Sequence, residues 1–89
     1  MTLIRFTRNI QRHIECPPTE ASGSTIADLL ESYFKTNPQA RGYLLDDQGA
    51  LRKHMAIFVN GTQIKDRTHL SDAIGEDDVV DVMQALSGG

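Results

Sequence analysis

The alternation of apolar and polar positions divides the chain into short strands around one helix. Near the amino terminus, Leu3-Ile4-Arg5-Phe6-Thr7 alternates after Leu3 and sets Ile4 and Phe6 on one side, the period of a half-buried strand. Arg8-Asn9-Ile10-Gln11 reads as a turn. Arg12-His13-Ile14-Glu15-Cys16 then alternates again, with Ile14 and Cys16 together, so the two runs predict an amino-terminal hairpin. Pro17-Pro18 would end its second strand, because proline has no N–H to give the ladder. After the Ser22-Gly23-Ser24 loop the period changes. Ile26, Leu29, Leu30, Tyr33 and Phe34 fall at i, i+3, i+4, i+7 and i+8, one apolar stripe on a helix of roughly three turns. Thr25 suits the N-cap with Asp28 as a capping-box partner, and Asn37-Pro38 stops the helix.

Short elements fill the rest. Tyr43-Leu44-Leu45 predicts a brief strand, Asp46-Asp47-Gln48-Gly49 a turn, and Ala56-Ile57-Phe58-Val59 a strand with Ile57 and Val59 opposite Phe58. Asn60-Gly61 is a strong hairpin signal, with Thr62-Gln63-Ile64 as the return. Leu70 to Ile74 predicts a brief helical turn ended by Gly75. Glu76-Asp77-Asp78 is an acidic turn, and Val79-Val80-Asp81-Val82-Met83 the last strand. A single apolar helix stripe can be covered only by a sheet, so the expected class is α+β: a mixed sheet of four to five strands gripping one main helix plus a short helical turn. The expected core is Ile4, Phe6, Ile14, Ile26, Leu29, Leu30, Tyr33 or Phe34, Leu45, Ile57, Val59, Leu70, Ile74, Val80 and Val82.

Composition narrows the partners. With 89 residues the chain is one small domain, and its net charge of −3 gives no basic excess for nucleic acid. No apolar run approaches a membrane span, and no secretion signal is seen. The one cysteine, Cys16, has no partner for an internal disulfide, which fits a cytoplasmic setting.

The chain closes on Ala85-Leu86-Ser87-Gly88-Gly89. Glycine removes the side chains that would block a narrow slit, and five extended residues reach about 17 Å. The α-carboxylate of Gly89 is the reactive group such a tail would deliver. The expected organisation is a folded domain over 1–84 and a flexible tail over 85–89.

This element order, with Phe58-Val59-Asn60-Gly61, the acidic turn before the last strand and terminal Gly88-Gly89, resembles the ubiquitin-like β-grasp fold and the MoaD/ThiS family of sulfur carrier proteins. The resemblance implies that an E1-like adenylating enzyme of the MoeB/ThiF type activates the Gly89 carboxylate with ATP. Sulfur then replaces an oxygen to give a thiocarboxylate, with Gly88 and Ser87 as spacer. It also implies a sulfur-accepting synthase, and a metalloprotease, cysteine desulfurase or rhodanese as further partners. The carrier binds no cofactor and has no catalytic side chain. The long Gly42–Arg52 connection looks more like carriers serving molybdopterin, cysteine or specialised sulfur-metabolite synthesis than the minimal thiamin-pathway carriers. Two other readings stand beside it: a protein modifier joined to lysines through Gly89, and a non-covalent β-grasp adaptor.

The sheet face away from the helix should carry Phe58, Met83 and Asp81. Together with Leu86 they form a candidate docking patch. Asp46, Asp47, Glu76, Asp77, Asp78 and Asp81 would steer the chain to a basic partner, although solvated turn residues are the simpler reading. His13, His54, His69 and Cys16 lack metal-ligand spacing, and Cys16 reads as a small core residue rather than a nucleophile. One cysteine cannot hold a ferredoxin cluster, and there is no phosphate-binding loop.

Overall fold

A computed structural model describes residues 1–84. Its elements in chain order are β1 (Thr2–Phe6), α1 (Arg8–Gln11), β2 (Thr19–Ala21), α2 (Ile26–Thr36), α3 (Gln39–Leu44), β3 (Met55–Val59), β4 (Thr62–Gln63) and β5 (Val79–Gln84). The five strands form one sheet in the order β2-β1-β5-β3-β4. β1 and β5 run parallel and all other neighbours are antiparallel. Two hairpin-like arms thus meet at a central parallel pair, with β5 in the middle.

One face of the sheet is covered. Thr2, Ile4 and Phe6 of β1, Met55 and Ile57 of β3, and Val80 and Val82 of β5 are all buried, as the two-residue period requires. Against them lie Ile26, Leu29, Leu30, Tyr33 and Phe34 of α2. The rings of Phe6 and Tyr33 meet with centroids 5.0 Å apart. The expected helix, its stripe and its Thr25 cap are all present, the Thr25 hydroxyl accepting from the Asp28 N–H at 3.2 Å. The Asp28 carboxylate, however, accepts from Ser24 rather than closing a capping box on Thr25. Gly23 packs so closely on the start of α2 that a Cβ there would lie 2.6 Å from the Leu29 nitrogen.

Three expectations change. The second strand is not Arg12–Cys16 but Thr19–Ala21, after the two prolines instead of before them. Arg8–Gln11 is a helical turn whose Ile10 is fully buried, and the chain from it continues as turn and loop through Cys16. Cys16 is buried as expected, but in that loop. Ile14 is only half-buried.

Tyr43-Leu44-Leu45 is not a strand. Tyr43 and Leu44 end α3, and Leu45 makes a single bridge to Leu51. Ala40 and Leu44 bury one side of α3. Arg41 clamps it to α2 through both oxygens of Glu31, at 2.7 Å each, while its guanidinium covers the Phe34 ring.

The segment Leu70–Ile74 is not helical. Its carbonyls are used elsewhere: Leu70 and Asp72 accept from the Ala27 and Ile26 N–H groups, which are otherwise orphans at the start of α2. Ala73 bridges Thr25, and the Ile74 N–H donates to Ser24. An extended segment therefore caps the helix from outside. Carboxylates hold it in place. Asp66 accepts from the N–H groups of Thr68, His69 and Ser71, and Asp72 from those of Lys65 and Asp66.

The Asn60-Gly61 turn forms as expected, with φ of 50° and 87°, the left-handed pair that a two-residue hairpin requires. Asn60 also ties this turn to β5. Its side chain donates to Asp78 and accepts from the Val79 N–H. No described helix is long and apolar enough to cross a membrane.

Candidate functional site

β5 carries the site because its residues alternate between the two faces of the sheet. Val80 and Val82 point into the core. Val79, Asp81 and Met83 lie on the face that no helix covers. Pairing aligns Asp81 with Arg5 of β1 and Phe58 of β3, and Met83 with Ala56. Phe58, Asp81 and Met83 are therefore brought together as the sequence implied. Among the described residues Met83 is the most exposed large apolar residue after Met1, at 41%. Phe58 is half-buried. Leu86, Ser87, Gly88 and Gly89 lie outside the described residues.

Asp81 is not a free charge. Arg5 grips it with two hydrogen bonds, Nε to Oδ1 at 2.8 Å and the guanidinium NH2 to Oδ2 at 3.0 Å. That hydrogen bonding, reinforced by the charge of Asp81, raises the Arg5 pKa further above its ordinary value. Arg5 was missing from the sequence-derived patch because only the parallel β1·β5 register puts it opposite Asp81. Other acidic residues are engaged as well. Asp46 accepts from the N–H groups of Gln48 and Ala50. The Gly75 N–H and the Asn60 amide hold the Asp78 carboxyl below its usual range.

At the end of β5 a depression of about 430 Å³ is lined by Thr7, Arg8, Asn9, Arg12, Met83 and Gln84. On the other side of Met83 a second depression, of about 290 Å³, brings in Lys53, His54 and Arg67. Neither depression is lined by a carboxylate. Gln84, the last described residue, is held from the core side, its amide oxygen accepting from the Tyr43 hydroxyl at 2.9 Å. The Tyr43 ring stacks on His13. None of these flanking residues follows from the alternation pattern, since α1 and α3 were expected as a turn and a strand.

The remaining reactive groups are quiet. Burial raises the Cys16 thiol pKa, so it is not an activated thiolate. The Tyr33 hydroxyl donates to the Pro17 carbonyl at 3.0 Å, and burial raises its pKa as well. His13, His54 and His69 are exposed. Among the described residues, no three His, Cys, Asp or Glu side chains are grouped as metal ligands.

A five-strand mixed sheet on one main helix, with β1 and β5 parallel at its centre, is the ubiquitin-like β-grasp. Solved structures share it over nearly the whole chain. A chain of the Amycolatopsis orientalis BexX/CysO complex superposes with a TM-score of 0.84 at 16% identity, covering 100% of both chains. Mycobacterium tuberculosis CysO gives 0.81 at 20% identity, covering 97% of this chain and 100% of that one. SAMP1 from Haloferax volcanii gives 0.77 at 19%, covering 99% and 98%. At such identities these likenesses establish the fold. Comparison with curated protein sequences gave no match. The model of the ThiS family matches residues 6–89, so the chain belongs to the ThiS family. That places it among small ubiquitin-fold sulfur carriers and modifiers.

Proposed function

We propose that the chain is a sulfur carrier, a β-grasp body over 1–84 presenting the tail 85–89. The observation that carries this reading is the ThiS-family match, which extends through Gly88-Gly89. A carboxylate is a poor electrophile because oxide is a poor leaving group. An E1-like enzyme would join the Gly89 carboxylate to AMP from ATP, releasing pyrophosphate. The terminal sulfur of a persulfide on a desulfurase or rhodanese would then displace AMP to give an acyl disulfide. A thiol would cleave its S–S bond, leaving a disulfide on the donor and a thiocarboxylate on Gly89. Its sulfur is a good nucleophile at neutral pH, fit for transfer by an accepting synthase. A carrier in this scheme contributes an address and a carboxylate, which agrees with a chain whose cysteine is buried and whose histidines lie exposed at its surface. CysO appears in complex with BexX, which supports a partner enzyme for this carrier too.

The test is the intact mass of the chain purified from its own cell without thiols. A fraction heavier by one oxygen-to-sulfur exchange, mapped to Gly89, is expected, and it should disappear when Gly89 is deleted. Unmodified mass alone, even after incubation with ATP and the host's E1-like enzyme, would overturn the reading. The likeness to the small archaeal modifier proteins favours a second reading, conjugation of Gly89 to lysines. It would show as isopeptide-linked adducts on other proteins.

A further inference from the structure

β5 loses its neighbours one at a time as it leaves the sheet. Pairing with β1 ends at Phe6 opposite Val82, and a further bond runs from the Thr7 N–H to the Val82 carbonyl at 3.0 Å. Past Val82 that side of the strand faces the depression lined by Arg8, Asn9 and Arg12. Pairing with β3 ends at Met55 opposite Gln84, and Met55 is the first residue of β3. Among the described residues, then, Gln84 sits past the end of one ladder and at the end of the other, where a strand frays most readily.

A side chain from a distant segment holds that end. The Tyr43 hydroxyl donates to the Gln84 amide oxygen at 2.9 Å. Tyr43 is itself firmly placed. The carbonyls before and after it, on Gly42 and Leu44, both accept from Arg52, one from Nε at 3.0 Å and the other from the backbone N–H at 3.0 Å. Its ring stacks on His13, with centroids 5.9 Å apart and planes 24° from parallel. The helix that carries it, α3, is clamped to α2 by the Arg41–Glu31 pair. Ring and backbone are both fixed, so the bond to Gln84 costs little further side-chain freedom. Gly42, Tyr43, Leu44 and Arg52 all lie in the long Gly42–Arg52 connection, and that connection is what supports the exit end of β5, at Met83 and Gln84.

Resting on the sulfur-carrier reading, we propose that Tyr43 is a positioning residue for the activation of Gly89. It acts through Gln84 by fixing the point from which residues 85–89 set out. With the root held at Gln84, five residues span about 17 Å. Released back to Val82, seven would span about 24 Å, and the carboxylate would sample a larger volume. A displacement of about 1 Å at a reacting group can cost two orders of magnitude in rate. The bond is internal to the carrier. It therefore bears on where the carboxylate sits within a bound complex, and not on how tightly the complex forms.

The test follows adenylation of Gly89 by the host's E1-like enzyme with ATP, read as the burst rate of pyrophosphate release. Tyr43→Phe removes one oxygen and keeps the packed ring. At saturating carrier it should slow the burst about three- to tenfold, the effect of one net hydrogen bond, while the half-saturating carrier concentration stays within about twofold. Gln84→Leu should give the same loss, and the double variant no more than either single change. The backbone 15N heteronuclear NOE of Gln84 should fall in Tyr43→Phe, while that of Val82 stays at its wild-type value. Losses that multiply in the double variant would show that Tyr43 does not act through Gln84 and would overturn the proposal. A raised half-saturating concentration with an unchanged burst would overturn it too, by making Tyr43 part of the binding surface. So would a wild-type burst in Tyr43→Phe. Each of these leaves the carrier reading standing, because the wild-type chain is still adenylated. No burst from the wild-type chain would overturn that reading and the positioning role with it.

Discussion

Val82 and Met83 are neighbours in sequence and opposites in role. Val82 is fully buried between the sheet and α2, whereas Met83 is 41% exposed on the open face. The same contrast runs across all three central strands: Ile4 against Arg5, Ile57 against Phe58, Val80 against Asp81. A sheet covered on one side only assigns stability to one set of residues and recognition to the other, with a step of one residue between them. Partner contacts can therefore be altered without disturbing the core, provided the register holds.

The largest test of that division is Val82→Asp. It buries a carboxylate with no partner and should cost about 4 kcal/mol or more, enough to unfold a small domain. Loss of the cooperative melt at neutral pH is the expected result, and a melt near that of the wild type would end the division. Next is Leu29→Ala, which empties space under the sheet and should cost about 2–5 kcal/mol by denaturant titration. A cost under about 0.5 kcal/mol, typical of exposed sites, would dislodge α2 from its place on the sheet. Met83→Ser should do the reverse. Stability should stay within about 0.5 kcal/mol while loading of Gly89 falls severalfold, measured as thiocarboxylate formed per minute. Equal losses of stability and loading would show that the two faces are not independent.

The smallest expected effect concerns pH, and it belongs to neither face. Folding lowers the Asp66 carboxyl from 3.8 to about 2, first through the His69 N–H and then through the Ser71 hydroxyl. A depressed carboxyl contributes its stabilisation in full above 3.8 and loses it as the pH falls through about 2. Asp72, held by the Lys65 and Asp66 N–H groups, shifts in the same direction. Acid should thus loosen the 65–72 loop before either sheet face. Asp66→Asn should give a shallower fall of melting temperature between pH 5 and pH 2, and an unchanged slope would remove Asp66 from that role.

Much of this was legible in the residue pattern, and the misreadings have physical causes. α2 was plain because five apolar residues keep one helical stripe over its whole length. β3, the Asn60-Gly61 turn and β5 were plain because branched and aromatic residues alternate around a turn that needs positive φ. β2 was misplaced because Arg12–Cys16 imitates a two-residue period, while the true strand has three residues and one buried side chain, Ala21, too few to show any period. α3 left a usable signal in Ala40, Tyr43 and Leu44 at i, i+3 and i+4 after Pro38. Leu70–Ile74 looked helical by spacing, but its carbonyls cap another helix, a tertiary demand no local pattern records.

Of the candidate site, Phe58, Met83 and Asp81 were legible from strand alternation alone. Arg5, Arg8, Arg12, Lys53 and Tyr43 were not, because each reaches the site through a contact between distant segments.

The central place of β5 sets a timetable for synthesis. β1 is made first, and its parallel neighbour last among the elements of the domain. Arg5 waits for Asp81 across 76 residues. At about 5–20 residues per second on the ribosome, that wait lasts about 4–15 s. Until β5 arrives the inner edge of β1, and that of β3 (Met55–Val59) once it is made, stand open, each a template for pairing with another chain. The sheet closes only when β5 slides between them, and that same event assembles the exit end around Met83. A nascent chain therefore cannot display its docking end before it has a folded body, and folding itself becomes the licence for recognition.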